Sequence, residues 1–317
     1  MNKNNNRHRH RYSTGLERTI DFGQDEVEMA NDQVAGIEEP VAKSSETPVT
    51  GFSYISFGSG SSGNCYFLKT EETSILIDAG IPVRTLKKTL RDYGFSLEAV
   101  EGIFITHDHA DHIKAVGNLA NDMGKLIYAT EKVHIGINNN YCTTSKVTEP
   151  SRRYLYKGET TQIGDLRITP FEVSHDSSDC VGYTIEQGDL TFCLSTDVGE
   201  VTPTVAKAIE AANYLVLEAN HDEEMLQHGP YPAYLKGRIR SSRGHLSNHQ
   251  CASALITYAS PKLKQVWLCH LSEENNHPEL ARKTIEGDLR GYGIVVGVDF
   301  NLEVLNRQTP TGIFDLE

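Results

Sequence analysis

The run Thr106-His107-Asp108-His109-Ala110-Asp111-His112 constrains this chain more than any other stretch. It places three imidazoles and the Asp111 carboxylate within six residues. Neutral imidazole nitrogen with carboxylate oxygen is a ligand set that suits zinc. The preceding segment, Val100 to Thr106, is apolar at Val100, Ile103, Phe104 and Ile105. It reads as a buried strand whose end hands the ligands to a loop, the context that metal-binding runs need. If the chain is still extended there, His107 and His109 point the same way and can share one metal. Asp111 and His112 come a turn later and could serve a second ion beside the first. Asp108 and Ala110 read as spacers.

The bulk composition sets the frame for that site. A length of 317 residues suits one large domain or two small ones. Hydrophobic content of 38% and aromatic content of 8% are enough for a core. No apolar run approaches the ~20 residues a spanning helix needs. Met1 to Tyr12 is rich in Asn, Arg and His and lacks the apolar stretch of a secretory signal, which points to the cytoplasm. Six scattered cysteines without a closely spaced pair fit free thiols in a reducing compartment. The net charge of −13 argues against broad electrostatic capture of nucleic acid. It does not exclude nucleic-acid chemistry, because a metal site and local basic patches act at short range.

Residues 1–50 read as a disordered or loosely attached tail, with a basic head (Lys3, Arg7, Arg9, Arg11) and an acidic continuation. His8 and His10 there are either solvated or able to bind metal. Residues 51–317 read as a single domain. Phe52 to Phe57 and Cys65 to Leu68 form a hairpin around the Gly58–Asn64 tip. Further strands are expected at Ser74–Ile77, Leu126–Ala129, Leu166–Val173, Gly182–Glu186, Leu190–Ser195, Tyr214–Leu217, Gln265–Cys269, Gly293–Val298 and Leu302–Leu305. Helices are expected over Pro82–Tyr93, Ile113–Met123 and Thr204–Ala212. Another opens at a Ser247–Gln250 capping box and runs to about Tyr258, and the last starts at Pro278. The C-terminus reads as loose. Strands followed by helices, twice over, predict an α/β fold of two packed sheets with helices outside, a four-layer sandwich.

Polar residues stand where four of these strands end: Asp78, His175, Asp197 and His270. Together with the histidine cluster, this series resembles, in order, the motifs of the metallo-β-lactamase superfamily over roughly residues 52–305. The resemblance implies the αββα fold and a dinuclear centre holding zinc, or manganese or iron. His107, His109 and His175 would hold one ion, Asp111, His112 and His270 the other, and Asp197 would bridge them. Asp78 would orient the cluster by hydrogen bonds without ligating. Two divalent ions, the Asp111 and Asp197 carboxylates and a bridging hydroxide nucleophile leave a site charge of about +1, which favours an anionic substrate.

Two further segments bear on the branch. Glu218 follows a strand, and His245 lies in Gly244-His245-Leu246-Ser247. Both match a pair that, in the transfer-RNA 3′-processing branch, donates a proton to the leaving alkoxide. His245 could otherwise be an ordinary residue before a helix cap. Glu218, His245 and Asp111 are the expected catalytic residues. The runs Gly58–Asn64, Gly244–Ser247 and His270–Asn276 are similar to the bacterial YycJ/WalJ subfamily, which implies a phosphodiesterase or nuclease, a 5′→3′ exonuclease with DNA as substrate. The long N-terminal tail departs from that subfamily. Lys236, Arg238, Arg240 and Arg243 would hold flanking phosphates or stand as a solvated loop. Ser61 and Asn64 would present the Gly/Ser loop to phosphate or mark a plain hairpin tip. The competing reading on the same metals is a small-molecule hydrolase acting on a thioester, lactone or cyclic phosphodiester. A binding protein with a spent site is disfavoured, because no ligand position is lost.

Overall fold

The computed structural model describes residues 51–317. Residues 1–50, and with them the tail reading, His8 and His10, lie outside the described residues. The first half runs β1 (Phe52–Gly58), β2 (Cys65–Lys69), β3 (Ser74–Ile77), α1 (Val83–Asp92), β4 (Gly102–Phe104), α2 (Ala110–Ile113), α3 (Val116–Met123), β5 (Ile127–Ala129), α4 (Glu131–Asn139) and β6 (Arg152–Tyr154). The second half opens with β7 (Thr161–Ile163), β8 (Leu166–Glu172), β9 (Val181–Gln187), β10 (Leu190–Ser195), α5 (Pro203–Ala211) and β11 (Tyr214–Glu218). It closes with α6 (Glu223–His228), α7 (Ala233–Ile239), α8 (Asn248–Tyr258), β12 (Gln265–Cys269), α9 (Pro278–Gly291), β13 (Asn301–Val304) and β14 (Thr311–Leu316).

The strands form two seven-stranded sheets, ordered β14-β1-β2-β3-β4-β5-β6 and β13-β12-β11-β10-β9-β8-β7. Each sheet is antiparallel at one side and parallel at the other, from β3 to β6 and from β10 to β13. The parallel strands bring their carboxyl ends to one edge, where ligand sites of open α/β sheets lie.

Period-two alternation separates the layers. In β1 to β4, Tyr54, Tyr66, Leu68, Ile75, Ile77 and Phe104 face the other sheet. Their neighbours Ile55, Phe67, Leu76 and Ile103 face α1, α3 and α4. In the second sheet, Val216 and Trp267 face inward, while Leu215, Leu217, Val266 and Leu268 pack on α5, α8 and α9. Three hydrophobic clusters thus fill three interlayer spaces, and the expected four-layer αββα sandwich is the fold. The free thiols of Cys65, Cys180, Cys193, Cys251 and Cys269 are buried in these layers, and burial pushes each thiol up from its usual range.

Several expectations need correction. Gly293–Val298 is not a strand: Gly293 and Gly297 take left-handed φ of 83° and 85°, and only a bridge joins Val296 to Phe300. The C-terminus is not loose, since β14 pairs antiparallel with β1, and Phe314 stacks 6.0 Å from Tyr54 and 5.0 Å from Trp267. The helix expected over Ile113–Met123 is broken, because the Ala115 N–H turns to Ala79 O (2.9 Å) instead of continuing the helical ladder. The capping box is present as read, with Ser247 Oγ and Gln250 Oε1 each accepting the other residue's backbone N–H. Among the described residues, no helix is long and apolar enough to cross a membrane.

Trp267 is the bolt between the sheets, with Tyr54, Phe314, Phe192 and Tyr214 ring centroids 4.8–6.4 Å away. Trp267→Ala is expected to lower the unfolding free energy by about 3–5 kcal/mol, read by denaturant titration. A loss below about 1 kcal/mol would mean that this cluster does not hold the sheets together.

Candidate metal centre

Three strand ends turn in the same unusual way. Asp78 after β3, Asp197 after β10 and His270 after β12 have φ of 59°, 55° and 53°, and are the non-glycine residues with positive φ among those described. Each left-handed residue costs about 1–2 kcal/mol. The strain concentrates where both sheets deliver side chains to one cleft, which is where functional strain is stored.

Hydrogen bonds set the orientation of the rings. The Asp78 carboxylate accepts from Thr106 N (2.8 Å), the Thr106 hydroxyl (2.9 Å) and His112 Nδ1 (2.7 Å). Thr106 Oγ1 in turn lies 3.0 Å from His107 Nδ1. His175 Nδ1 donates to Gly244 O at 3.0 Å, and His270 Nδ1 to Glu218 Oε1 at 2.9 Å. With Nδ1 engaged by oxygen in all four rings, Nε2 is the nitrogen left to face the cleft, the arrangement that prepares imidazole for a metal. Nε2 of His107 and of His270 is buried without any hydrogen-bond partner. His109 Nδ1 and His175 Nε2 face each other at 3.4 Å.

The structure gathers the expected side chains into overlapping groups. His107, His109 and His175 offer ligand atoms within 4.8 Å of one another, and so do Asp111, His112 and His270. Asp197 belongs to a group with His107 and His112, and to another with Glu218, His245 and His270. Its carboxylate lies 3.3 Å from His112 Nε2 and 3.7 Å from His175 Nε2, between the two clusters. Asp111 Oδ2 is 3.5 Å from Nε2 of both His112 and His270. Nitrogen and oxygen donors in this number, with buried Nε2 atoms unpartnered, fit divalent cations.

Charge follows from the same packing. Burial opposes protonation of His112, but the carboxylates of Asp78, Asp197 and Asp111 outweigh it and push the ring up to about 10. His270 is likewise raised, burial being overcome by Asp197, Asp111 and Glu218. Asp197 is held well below the usual carboxylate range, because the rings of His270, His112 and His107 overcome its burial. Burial lowers His107 and His175, whose neighbours include other imidazoles. The carboxylates thus create a field that draws positive charge to the cleft.

Glu218 and His245 meet as the sequence pairing expects. Glu218 Oε1 accepts from His245 Nδ1 (2.9 Å) as well as from His270, and Oε2 accepts from Val198 N (2.8 Å) and Leu246 N (3.1 Å). Four donors lock this buried carboxylate. The His245 side chain keeps 15% of its surface exposed, and its ring centroid is 5.0 Å from His175 and 5.4 Å from His270. It therefore stands over the centre with a path to solvent.

The residues read as phosphate contacts are placed differently. Asn64 is buried, and its Nδ2 lies 3.2 Å from Asp111 Oδ2 and 2.9 Å from His112 Nε2, so it touches two of the candidate ligands. Ser61 is exposed at the loop tip, whereas Ser59 reaches inward and accepts from His270 N at 3.0 Å. Arg243 donates to His175 O, Arg240 to Gln227 Oε1, Lys236 to Gln227 O and Gly229 O, and Arg238 pairs with Asp176. These cations brace loops around His175 and α6. Asp108 is no spacer: its carboxylate accepts from Ser178 N (3.1 Å) and the Ser178 hydroxyl, pinning the loop after His175 to the histidine turn. Asp176, missed in the sequence, brings a carboxylate to 3.5 Å from His175 Nε2. Thr106, Asn220, whose Nδ2 holds His270 O at 2.8 Å, and Arg307, which holds Leu271 O and Ser272 O, were also missed. Only the place of Asp176 directly after His175 offered a signal. Gly80 permits the whole contact, since a Cβ there would lie 1.6 Å from Asp111 O.

Comparisons with known proteins agree with this geometry. The profile of the Beta-lactamase superfamily domain matches residues 73–270. The chain is 38% identical over 266 residues to "Exodeoxyribonuclease WalJ" of Streptococcus pneumoniae, covering 84% of this chain and 98% of that one. It is 32% identical over 263 residues to "Exodeoxyribonuclease YycJ" of Bacillus anthracis, covering 83% and 98%. The metallo-β-lactamase fold protein YhfI from Bacillus subtilis superimposes with a TM-score of 0.59 at 16% identity, over 83% of this chain and 99% of that chain. The chain belongs to the metallo-β-lactamase superfamily, in the branch of metal-dependent hydrolases that holds these WalJ and YycJ relatives.

Proposed function

We propose that this chain is a dinuclear metal-dependent nuclease that degrades DNA from the 5′ end. The observation that carries the reading is the pair of buried, unpartnered Nε2 atoms of His107 and His270, facing a cleft whose other donors are also prepared. His107, His109 and His175 would hold one ion, Asp111, His112 and His270 the second, and Asp197 would lie between them. Zinc best suits this donor set, with manganese or iron as the other occupants. Bound ions would supply an activated water at neutral pH and stabilise charge on a phosphoryl group. The DNA substrate is favoured by the exodeoxyribonuclease names of both relatives.

His245 is the proton donor in this reading. A phosphodiester leaves as an alkoxide, which needs a proton in the transition state. The Glu218 carboxylate accepts from Nδ1 of His245 and fixes the ring, leaving Nε2 to pass the proton to the leaving 3′-oxygen. The same carboxylate orients His270, coupling the donor to the ligand set. Arg243, through His175 O, keeps the ring's loop in register.

Incubation of end-labelled single- and double-stranded DNA and RNA with manganese or zinc is the direct test. Wild-type protein is expected to shorten DNA from the 5′ end, with about two ions bound per chain. His109→Ala and Asp197→Ala are expected to lose at least about 100-fold in rate while remaining folded. Full activity of metal-free protein would refute the reading, and turnover of cyclic or small esters without any on DNA would favour a small-molecule hydrolase.

His245→Ala is expected to slow native phosphodiester cleavage by about 10²–10⁴-fold. Cleavage of a p-nitrophenyl ester, whose leaving group needs no proton, should change far less. Equal losses on both substrates would remove His245 from proton transfer.

Metal loading should also release protons. In the metal-free protein His112 is pushed up to about 10, so its ring is charged at neutral pH, and an ion at Nε2 must displace that proton. Affinity is therefore expected to fall as pH drops. Calorimetric titration at pH 7.5 in buffers of different ionisation enthalpy should show release of about one proton or more per chain. A buffer-independent heat would show that no charged ligand ring is displaced and would refute the charged state of His112.

A further inference from the structure

Four basic side chains share the solvent face of α1. Arg84, Lys87, Lys88 and Arg91 are exposed, while Leu86, Thr89 and Leu90 are buried beneath them. At 3.6 residues per turn the four fall within an arc of about 100° and extend over about 10 Å of the axis. The helix carries one carboxylate, Asp92, which pairs with Lys88. The other nearby acid is Glu98, a fully exposed residue that feels Lys87. Elsewhere basic groups are commonly neutralised, as in Arg152–Glu149, Lys157–Asp179, Arg238–Asp176 and Arg282–Glu286. Arg84, Lys87 and Arg91 take part in no ion pair with a described residue. A one-signed stripe on a chain of net charge −13 is a local exception.

The stripe begins at the mouth of the centre. Ala79 N–H donates to His112 O (2.8 Å), Ala115 N–H to Ala79 O (2.9 Å) and Gly80 N–H to Asn64 O (2.8 Å). These bonds seat the segment leading into α1 on the histidine turn, with exposed Lys114 beside it. The border beyond His245 is of mixed sign, with exposed Arg240 and Arg243 beside the acids there. Exposed Glu223 and Glu224 open α6, and exposed Glu273 and Glu274 lie on the loop after His270, the two segments being joined by Asp222 N–H to Asn275 O (2.9 Å). Between Glu223, Glu224, Gln227, Arg240 and His221 is a cavity of about 400 Å³.

We propose that the exposed face of α1, with Lys114, binds the backbone phosphates of the DNA strand that the enzyme retains. The polyanion crosses the mouth from the α1 side towards His245. A strand presents a phosphate every ~3.4 Å of helix axis, so the stripe can meet about three. Phosphate contacts of this kind position the strand without reading sequence. This inference rests on the nuclease reading above.

The test compares Arg84→Glu/Lys87→Glu/Arg91→Glu with a control triple of equal charge change, Lys207→Glu/Lys283→Glu/Arg290→Glu, on exposed positions of α5 and α9. Both are assayed with manganese on long DNA and on bis(p-nitrophenyl) phosphate over a range of salt. The α1 triple is expected to raise KM for DNA about tenfold or more at low salt and to flatten its salt dependence by about two to three in log–log slope. Turnover of the small diester should match wild type, which checks that the centre is intact. Arg84→Gln/Lys87→Gln/Arg91→Gln should give a smaller change in the same direction. Equal DNA effects in the α1 and control triples, no effect in the α1 triple, or equal loss on both substrates would overturn the inference. A wild type that turns over the small diester but no DNA would overturn the nuclease reading itself.

Discussion

The buried carboxylate of Asp78 is the contact on which the centre depends. It joins the end of β3 to the residue after β4 through Thr106, and fixes His112 through Nδ1. Thr106 passes the constraint to His107. A single acidic side chain therefore decides which nitrogen of two rings faces the cleft. Burial raises Asp78 from its usual range, against the opposing pull of His112 and Thr106, so the carboxylate is held at a cost. That cost is offset by donors that would otherwise be unmet, each worth about 1–3 kcal/mol when buried. Ring orientation, ligand spacing and the field of the cleft all follow from this bond set.

Electrostatic balance in the cleft is the second theme. Asp78, Asp111, Asp197 and Glu218 surround six imidazoles, and the carboxylates favour the protonated form of His112 and His270, whose protons cations can replace. Glu218 differs from the others in receiving two backbone N–H groups as well as two rings. A carboxylate fixed in that way cannot swing between partners. It can orient His245 and His270 together but is shielded from becoming a ligand itself. The division of labour among four similar side chains is thus set by what each accepts.

Much of this was legible in the sequence, because strand period and strand-end chemistry are local signals. Alternation and apolar runs marked most of the strands, and the polar residues past β3, β8, β10 and β12 all converge. What was not legible is tertiary. Val295 and Val298 mimic a strand pattern, yet glycines at left-handed φ break it. β14 finds its order only by pairing with β1, more than 250 positions away. Arg238 and Arg243 have the composition of a phosphate site, but a neighbouring carboxylate and carbonyl use their donors. Asp108 looked inert because its partner, Ser178, is distant in sequence.

The buried cysteines have a further consequence. Nitrogen and oxygen supply every donor in the ligand groups, although Cys269 is the immediate neighbour of His270. Cys269 is buried and its thiol is pushed up, so almost no thiolate exists there at neutral pH to meet an oxidant or an alkylating reagent. Sulfur chemistry therefore has no direct route into the cleft. Inhibition of the centre would come through competition for bound ions, by chelators or rival cations, and not through modification of Cys269.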